Sequence, residues 1–206
     1  MIWRSLQAGW FTSMNHFAAS TPVLHEPVRL YAKYGVVLFA GLLLLGWWVA
    51  RRGTATGIAG TRTMAAALWA PIGMLIAVGL NQPLSNGVHE SRPYTVYPHA
   101  LVLVAKSHDY SFPSDHAVMA GAVAAGLLLV SRRLGAVAIA AALLMAFARV
   151  YVGAHFPLDV IAGLLFGAIV SVGSYLAVRA VIEPLVRGLS RTPLRPLLTQ
   201  APAGSA

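Results

Sequence analysis

Long apolar runs separated by short polar connections dominate the chain. A membrane-spanning helix needs about 20 mostly apolar residues, because it rises about 1.5 Å per residue across about 30 Å of hydrocarbon. Five segments approach or meet this length, and we find no internal repeat and no second folded domain. The pattern predicts an all-α integral membrane protein, a bundle of about five transmembrane helices. The predicted spans are residues 31–49, 63–80, 114–130, 134–150 and 157–182.

The two ends of the chain differ from these runs. Residues 1–29 are too polar to span and lack the apolar region of a signal peptide, so they predict an N-terminal interfacial helix and a linker. Three aromatic residues are the candidate membrane anchors of this segment: Trp3, Trp10 and Phe11. Residues 30–184 form the predicted transmembrane domain. Residues 185–206 are rich in arginine and proline and predict a poorly ordered basic tail in the cytoplasm.

Composition narrows the class of protein. Hydrophobic residues make up 58% of the chain and charged residues only 10%, against roughly 25% charged in soluble domains. This excludes a disordered chain and disfavours a soluble globule. The formal net charge of +9 fits arginines at the cytoplasmic ends of spans and contact with anionic membrane lipids, so no nucleic-acid partner is predicted. The chain has no cysteine, which excludes a disulfide framework, a thiolate metal site and a cysteine nucleophile.

The distribution of arginine and lysine predicts the orientation. If the connection 51–62 is cytoplasmic, nine of the 15 basic residues lie on that side and six on the other. This orientation places the N-terminus outside and the C-terminus inside. All seven histidines and five of the six acidic residues then lie on the extracytoplasmic face, so polar chemistry is concentrated on one side of the membrane.

Three segments on that face carry candidate chemistry: residues 91–94, 112–116 and 149–159. Pro113 precedes an apolar run, where proline favours the first turn of a helix. The unpaired N–H groups of such a turn and the hydroxyl of Ser114 form an anion site. His116 lies close enough along the chain to act on an anion held there.

The third segment adds a candidate nucleophile. His155 and Asp159 are four residues apart, so on a helix they share a face, and the carboxylate can accept from one imidazole nitrogen. The other nitrogen is then free to act as a base or a nucleophile. Arg92 and Arg149 supply planar donors suited to phosphate oxygens.

Each motif also has a simpler interpretation. His155 and Asp159 suit a helix cap or a surface pair, and residues 113–116 suit an ordinary helix start. Arg149 suits an arginine that reaches the membrane interface. The occurrence of all of them in order on one face favours function. A metal site is disfavoured because the acids and histidines do not form a compact ligand set and two arginines repel a cation, so neither a metal nor a cofactor is predicted.

These segments resemble the signature of the type 2 phosphatidic acid phosphatase (PAP2) superfamily, which reads Lys-x6-Arg-Pro, then Pro-Ser-x-His, then Ser-Arg-x5-His-x3-Asp. The second motif is present at residues 113–116, and the third at residues 149–159 with Ala148 in place of serine. The first motif keeps Arg92 and the following proline, but Ser85 occupies the lysine position. Two neighbours of that position, His89 and Asn86, are candidates to substitute for the lysine.

The resemblance implies a two-step phosphoryl transfer without metal. In this mechanism His155 attacks phosphorus and is oriented by Asp159, while His116 protonates the leaving group and later activates water. The phosphate-binding set it implies is Arg92, Ser114, Arg149 and Asp115. The motif Phe-Pro-Ser-Asp-His, with Asp115 at its fourth position, is similar to that of bacterial undecaprenyl-diphosphate phosphatases. Asp115 either tunes the pKa of His116 or bonds a nearby donor.

The expected function is therefore hydrolysis of undecaprenyl diphosphate to undecaprenyl phosphate on the extracytoplasmic face of the plasma membrane, which serves lipid carrier recycling in cell wall biogenesis. Three alternatives stay open. One is a broader lipid phosphatase acting on phosphatidic acid, phosphatidylglycerol phosphate or another prenyl phosphate. The others are a non-catalytic lipid-phosphate binder and a small transporter with a polar vestibule. The expected partners are a lipid phosphate substrate and membrane lipids, and the oligomeric state stays open.

Overall fold

A computed structural model of the chain describes residues 2–53 and 57–199, and it describes residues 2–6 by their backbone alone. The described residues form eight α-helices and no β-strand. The helices are α1 (Ile2–Ser20), α2 (His25–Arg52), α3 (Gly57–Val88), α4 (Pro93–Val96), α5 (Asp115–Val130), α6 (Arg132–Tyr151), α7 (Pro157–Leu189) and α8 (Arg195–Leu198). A 3₁₀ turn, Pro22–Leu24, joins α1 to α2. The predicted all-α bundle is confirmed.

Four of these helices, α2, α3, α6 and α7, are long and apolar enough to cross a membrane. Helix α5 matches the predicted third segment, residues 114–130, to within one residue, and with 16 residues and a length of about 24 Å it is shorter than these four. Helix α5 lies at the centre of the bundle and packs against α2, α3, α6 and α7. Its neighbours bury most of its side chains, and Leu128 and Leu129 near its end are exposed.

Small residues let the helices around α5 approach closely. Alanine and glycine occupy seven of its 16 positions. Gly167 of α7 lies against the backbone of Val118 and Ala122, where an added Cβ would come within 2.8 Å of the Val118 carbonyl carbon. Only glycine permits this approach, and small interface residues of this kind are typical of membrane helix pairs.

The N-terminal segment packs on the bundle. Phe11 of α1 is buried between Tyr97 and Phe156, with ring centroids 5.8 and 5.4 Å away. The prediction that Phe11 is a membrane anchor is therefore wrong, because its ring is part of the protein core. Trp10 is exposed, and the side chain of Trp3 lies outside the described part of the structure.

The basic C-terminal segment is folded as far as residue 199, contrary to the prediction of a poorly ordered tail. Helix α7 continues through Pro184 to Leu189, and the chain then folds back so that α8 packs against the end of α2. Trp47 Nε1 donates to the Leu197 carbonyl at 3.0 Å, and Leu198 is buried. Residues 200–206 of the predicted tail lie outside the described residues.

Candidate active site

The motif residues converge where α5 and α7 begin and α6 ends. The α5–α7 contact brings the two helix starts together, and the Ser114 N–H donates to the Asp159 carbonyl at 3.1 Å. The residues between α4 and α5 pass over this end of the bundle. Three segments far apart in the chain therefore meet at one end of the molecule, as the sequence predicts.

A tight turn after α6 sets the position of His155. Gly153 has a φ of +76°, and a Cβ there would lie 2.5 Å from the Leu101 carbonyl oxygen. Glycine is the residue that adopts this left-handed conformation without strain. His155 then lies before α7 begins at Pro157, so the expected helical i, i+4 relation with Asp159 is not what joins them.

The hydrogen bonds of His155 define its tautomer. The ring is buried, and Nδ1 lies 2.9 Å from the Ser111 carbonyl oxygen, which can only accept. Nδ1 therefore carries the proton. Nε2 faces Arg92 Nη1 at 3.2 Å and accepts from it. This leaves the Nε2 lone pair directed at the cationic part of the site.

Burial and charge both favour the neutral form of His155. Burial lowers the pKa of its imidazole well below 6.5, and the charges of Arg149 and Arg92 lower it further. A histidine that is neutral at physiological pH has the free lone pair that a nucleophile needs.

Asp159 does not orient His155 as directly as the spacing predicts. Its Oδ2 lies 3.6 Å from His155 Nδ1, and it accepts instead from the Phe156 N–H at 2.8 Å and the Ser111 hydroxyl at 2.5 Å. The carboxylate caps the start of α7, where the first N–H groups of a helix have no intrahelical acceptor. Ser111 therefore links the acid to the imidazole, because its hydroxyl bonds Asp159 and its carbonyl bonds His155.

Arg92 is held by four hydrogen bonds. Nη1 donates to the Ala154 carbonyl at 3.1 Å and to His155 Nε2 at 3.2 Å. Nε donates to the Asp109 carbonyl at 3.2 Å, and Nη2 donates to the Asp109 carboxylate at 2.8 Å. The guanidinium is therefore held against His155 Nε2.

Two further donors of the predicted phosphate-binding set are buried without a hydrogen-bond partner in the described structure. They are the Ser114 hydroxyl and Arg149 Nε, while Arg149 Nη1 donates to the Ala32 carbonyl at 3.4 Å. Burying an unpaired donor costs about 1–3 kcal/mol, so such donors indicate a missing acceptor. His116 is half-buried nearby and lies within electrostatic range of Arg149, His155 and Arg92.

The contacts of Asp115 do not place it in the predicted phosphate-binding set. Its Oδ1 accepts from Asn81 Nδ2 at 2.6 Å and from Gln82 Nε2 at 3.0 Å. The carboxylate therefore faces α3, where it links two helices, and its contacts do not include the donors of the anion site. This is the second of the two roles that the sequence leaves open for Asp115.

The position of Ser85, which replaces the lysine of the first motif, is clear. Ser85 lies near the end of α3, where its carbonyl accepts from the His89 N–H at 3.2 Å. The His89 ring packs on Tyr110, with centroids 4.6 Å apart, and Asn86 is exposed. These contacts of Ser85 and His89 are made at the end of α3 and with Tyr110, and they do not involve Arg92 or His155.

Sequence reasoning missed Ser111 and Asp109. Both are polar residues just before the second motif, and that proximity was the available signal. Their partners, Asp159 and Arg92, lie 48 and 17 residues away, so only the fold identifies them. Within residues 2–53 and 57–199, no group of three or more histidine and acidic residues could hold a metal ion.

Comparison with known proteins gives a family match. A model described as the PAP2 superfamily matches residues 66–183 of the chain. This range contains all three motifs.

Individual relatives are similar over part or most of the chain. An undecaprenyl-diphosphatase of Sulfolobus acidocaldarius is 39% identical over 101 residues, which are 48% of this chain and 49% of the relative. The chain thus spans about half the length of that relative. Undecaprenyl-diphosphatase BcrC of Bacillus subtilis is 27% identical over 160 residues, 78% of each chain. The crystal structure of Aquifex aeolicus LpxE superposes with a TM-score of 0.64 at 25% identity, covering 83% of this chain and 95% of that one.

Proposed function

Because the chain belongs to the PAP2 superfamily, we propose that it removes the terminal phosphate of a polyprenyl diphosphate, with undecaprenyl diphosphate as the expected substrate. The membership confirms the predicted family and the enzyme class of a PAP2-type phosphatase. The apolar helices confirm a multi-pass membrane protein. The substrate proposal draws on the relatives named undecaprenyl-diphosphatase.

One observation supports the chemistry above the others. A buried, neutral imidazole directs its Nε2 lone pair at Arg92, beside buried donors that lack an acceptor. A phosphate oxygen would satisfy Ser114 Oγ and Arg149 Nε, and the phosphorus would then lie in front of the nucleophile. Fixed donors around a transferring phosphoryl group are the main source of catalysis in such reactions.

The proposed reaction has two balanced steps. His155 Nε2 forms a bond to the terminal phosphorus while the bond from phosphorus to the bridging oxygen breaks, and His116 gives that oxygen its proton. Water then attacks the phosphohistidine and gives a proton to His116, the phosphorus–nitrogen bond breaks, and inorganic phosphate leaves. Arg92, Arg149 and Ser114 stabilise the equatorial oxygens in both steps.

Phosphate release in detergent tests this function. We expect the wild type to turn over undecaprenyl diphosphate at least ten times faster than phosphatidic acid, with full activity in excess chelator. His155→Ala is expected to release none while keeping the wild-type melting temperature within a few degrees. His99→Ala, which changes an exposed histidine, is the matched control and should match the wild type.

The outcomes separate the alternatives. Equal rates on both lipids would indicate a broader lipid phosphatase. Binding of the lipid phosphate without release of phosphate by the wild type would indicate a non-catalytic binder and would refute the proposed enzyme. Loss of activity in chelator that a divalent ion restores would refute the metal-free mechanism.

We also propose that the site faces the extracytoplasmic side of the plasma membrane, which the arginine bias supports. The chain has no cysteine, so single cysteines report sidedness cleanly. In intact cells, an impermeant maleimide should label Ser107→Cys, at the site end, and should label Thr192→Cys only after lysis. The reverse pattern would place the site in the cytoplasm.

A further inference from the structure

We propose that Asp109 is a positioning residue that keeps the guanidinium of Arg92 oriented towards the Nε2 atom of His155. This inference rests on the proposed phosphatase function. Asp109 lies outside the three motifs, in the connection between α4 and α5.

Asp109 holds two of the three guanidinium nitrogens of Arg92. Its carboxylate accepts from Nη2 at 2.8 Å and its backbone carbonyl accepts from Nε at 3.2 Å. The Asp109 side chain is 58% exposed, whereas that of Arg92 is 8% exposed. An exposed carboxylate therefore forms an ion pair with a buried guanidinium.

Fixing two nitrogens of a planar group fixes the third. With Nε and Nη2 held by Asp109, Nη1 is directed at His155 Nε2 and the Ala154 carbonyl. A guanidinium has five N–H donors, and these contacts use four of them. One Nη2 hydrogen remains for a phosphate oxygen.

This arrangement gives Arg92 a role in the approach of substrate. The hydrogen bond from Nη1 to Nε2 must break when the phosphorus approaches Nε2. A phosphate oxygen at the same place can then accept the hydrogen bond from Nη1. The guanidinium then need not rotate, provided that Asp109 keeps its other side fixed. A displacement of about 1 Å in such a group can cost about a hundredfold in rate.

Asp109 also acts on His155 through its charge. The titratable groups near the imidazole are Arg149, Arg92, Asp109, His116 and Asp159, whose Oδ2 lies 3.6 Å from Nδ1. The negative charge of Asp109 offsets part of the effect of the two arginines on the pKa of His155. Partial burial opposes ionisation of Asp109, but a hydrogen bond from Ser107 and the charge of Arg92 keep the pKa of its carboxyl below 3.8.

A double-mutant cycle tests the proposal. We expect Asp109→Asn to lower kcat/KM for undecaprenyl diphosphate by 10- to 100-fold, and Arg92→Met to lower it further. Because Asp109 acts through Arg92, the double variant should be no slower than Arg92→Met alone. Glu26→Gln, which removes an exposed acid paired with Arg29 at 2.6 Å, is the control and should keep wild-type activity.

The pH profile provides a readout that a purely structural role would not move. Removing the negative charge near His155 should shift the acid limb of kcat/KM to lower pH in Asp109→Asn, with no shift in Glu26→Gln. If Arg92→Met has no measurable activity, the shift of the acid limb in Asp109→Asn tests the proposal in place of the double-mutant cycle. If Asp109→Asn does not fold, Asp109→Ser replaces it in both measurements.

Two results would overturn the proposal: activity of Asp109→Asn within twofold of the wild type with an unchanged acid limb, or effects of the two substitutions that multiply. A wild type that releases no phosphate refutes the proposed function instead, so the two failures are distinguishable.

Discussion

Substitution of Gly167 by alanine tests how the α5–α7 contact builds the site. An added Cβ would lie within 2.8 Å of the Val118 carbonyl carbon and 2.9 Å of the Ala122 nitrogen, and nearer still to the Val118 carbonyl oxygen. These atoms are backbone, so no side chain can turn away and the helices must separate. Overpacking of this kind costs about 1–3 kcal/mol.

The matched control for this prediction is Gly173→Ala on the same helix, where a Cβ meets nothing within 4 Å. There alanine should stabilise the helix by about 0.5–1 kcal/mol, because glycine is the weaker helix former. Relative to this control, we expect Gly167→Ala to lose about 2 kcal/mol. For a chain of this size that corresponds to a melting temperature lower by about 4–8 °C.

Thermal unfolding in detergent and phosphate release from undecaprenyl diphosphate measure the two effects. Separation of α5 from α7 pulls Ser114 and His116 away from Asp159 and His155, so activity per folded molecule should also fall. Equal melting temperatures and equal activities for the two variants would show that the close approach does not set the site.

Two further predictions concern His155, the proposed nucleophile. Ser111→Ala removes the hydroxyl that bonds Asp159 but keeps the carbonyl that bonds His155, so we expect a loss in kcat of about tenfold with little change in KM; unchanged kcat would contradict a role for that link. Because burial lowers the pKa of His155 below 6.5, the acid limb of kcat/KM should lie below pH 6.5. The lowered pKa of His155 also makes the free energy of unfolding depend on pH. The contribution of His155 is complete above pH 6.5 and is lost as the pH falls towards the folded-state pKa, because in that range the unfolded chain binds a proton that the folded chain does not. An acid limb at or above pH 6.5, together with stability independent of pH between 7 and 5, would contradict a buried neutral imidazole.

Hydrophobic patterning predicted the helical architecture well, because each span is a continuous apolar run. It predicted helix ends less well. Helix α2 begins at His25, and its first turns contain the exposed Glu26–Arg29 ion pair. A search for apolar segments does not include these charged residues. Helix α3 continues past Leu80 to Val88 although Pro83 lies inside it.

The motifs identified the residues that meet at the site, but the sequence could not specify their contacts. Four-residue spacing suggested that Asp159 bonds His155 on one helix face. In the fold, Pro157 starts the helix after His155, and the N–H of the N-cap residue Phe156 donates to Asp159 Oδ2. Asp115 likewise turns towards α3, because two amide donors lie there. Such choices depend on tertiary neighbours that local spacing does not encode.

The formation of phosphohistidine at His155 is the central claim, and rapid acid-free quenching of the enzyme with undecaprenyl diphosphate labelled in its terminal phosphate tests it most directly. The account predicts a label on the wild-type protein that is stable in alkali, labile in acid and located on the peptide containing His155. It predicts no label on His155→Ala. Turnover of the wild type without any protein-bound label, together with sustained phosphate release by His155→Ala, would contradict it.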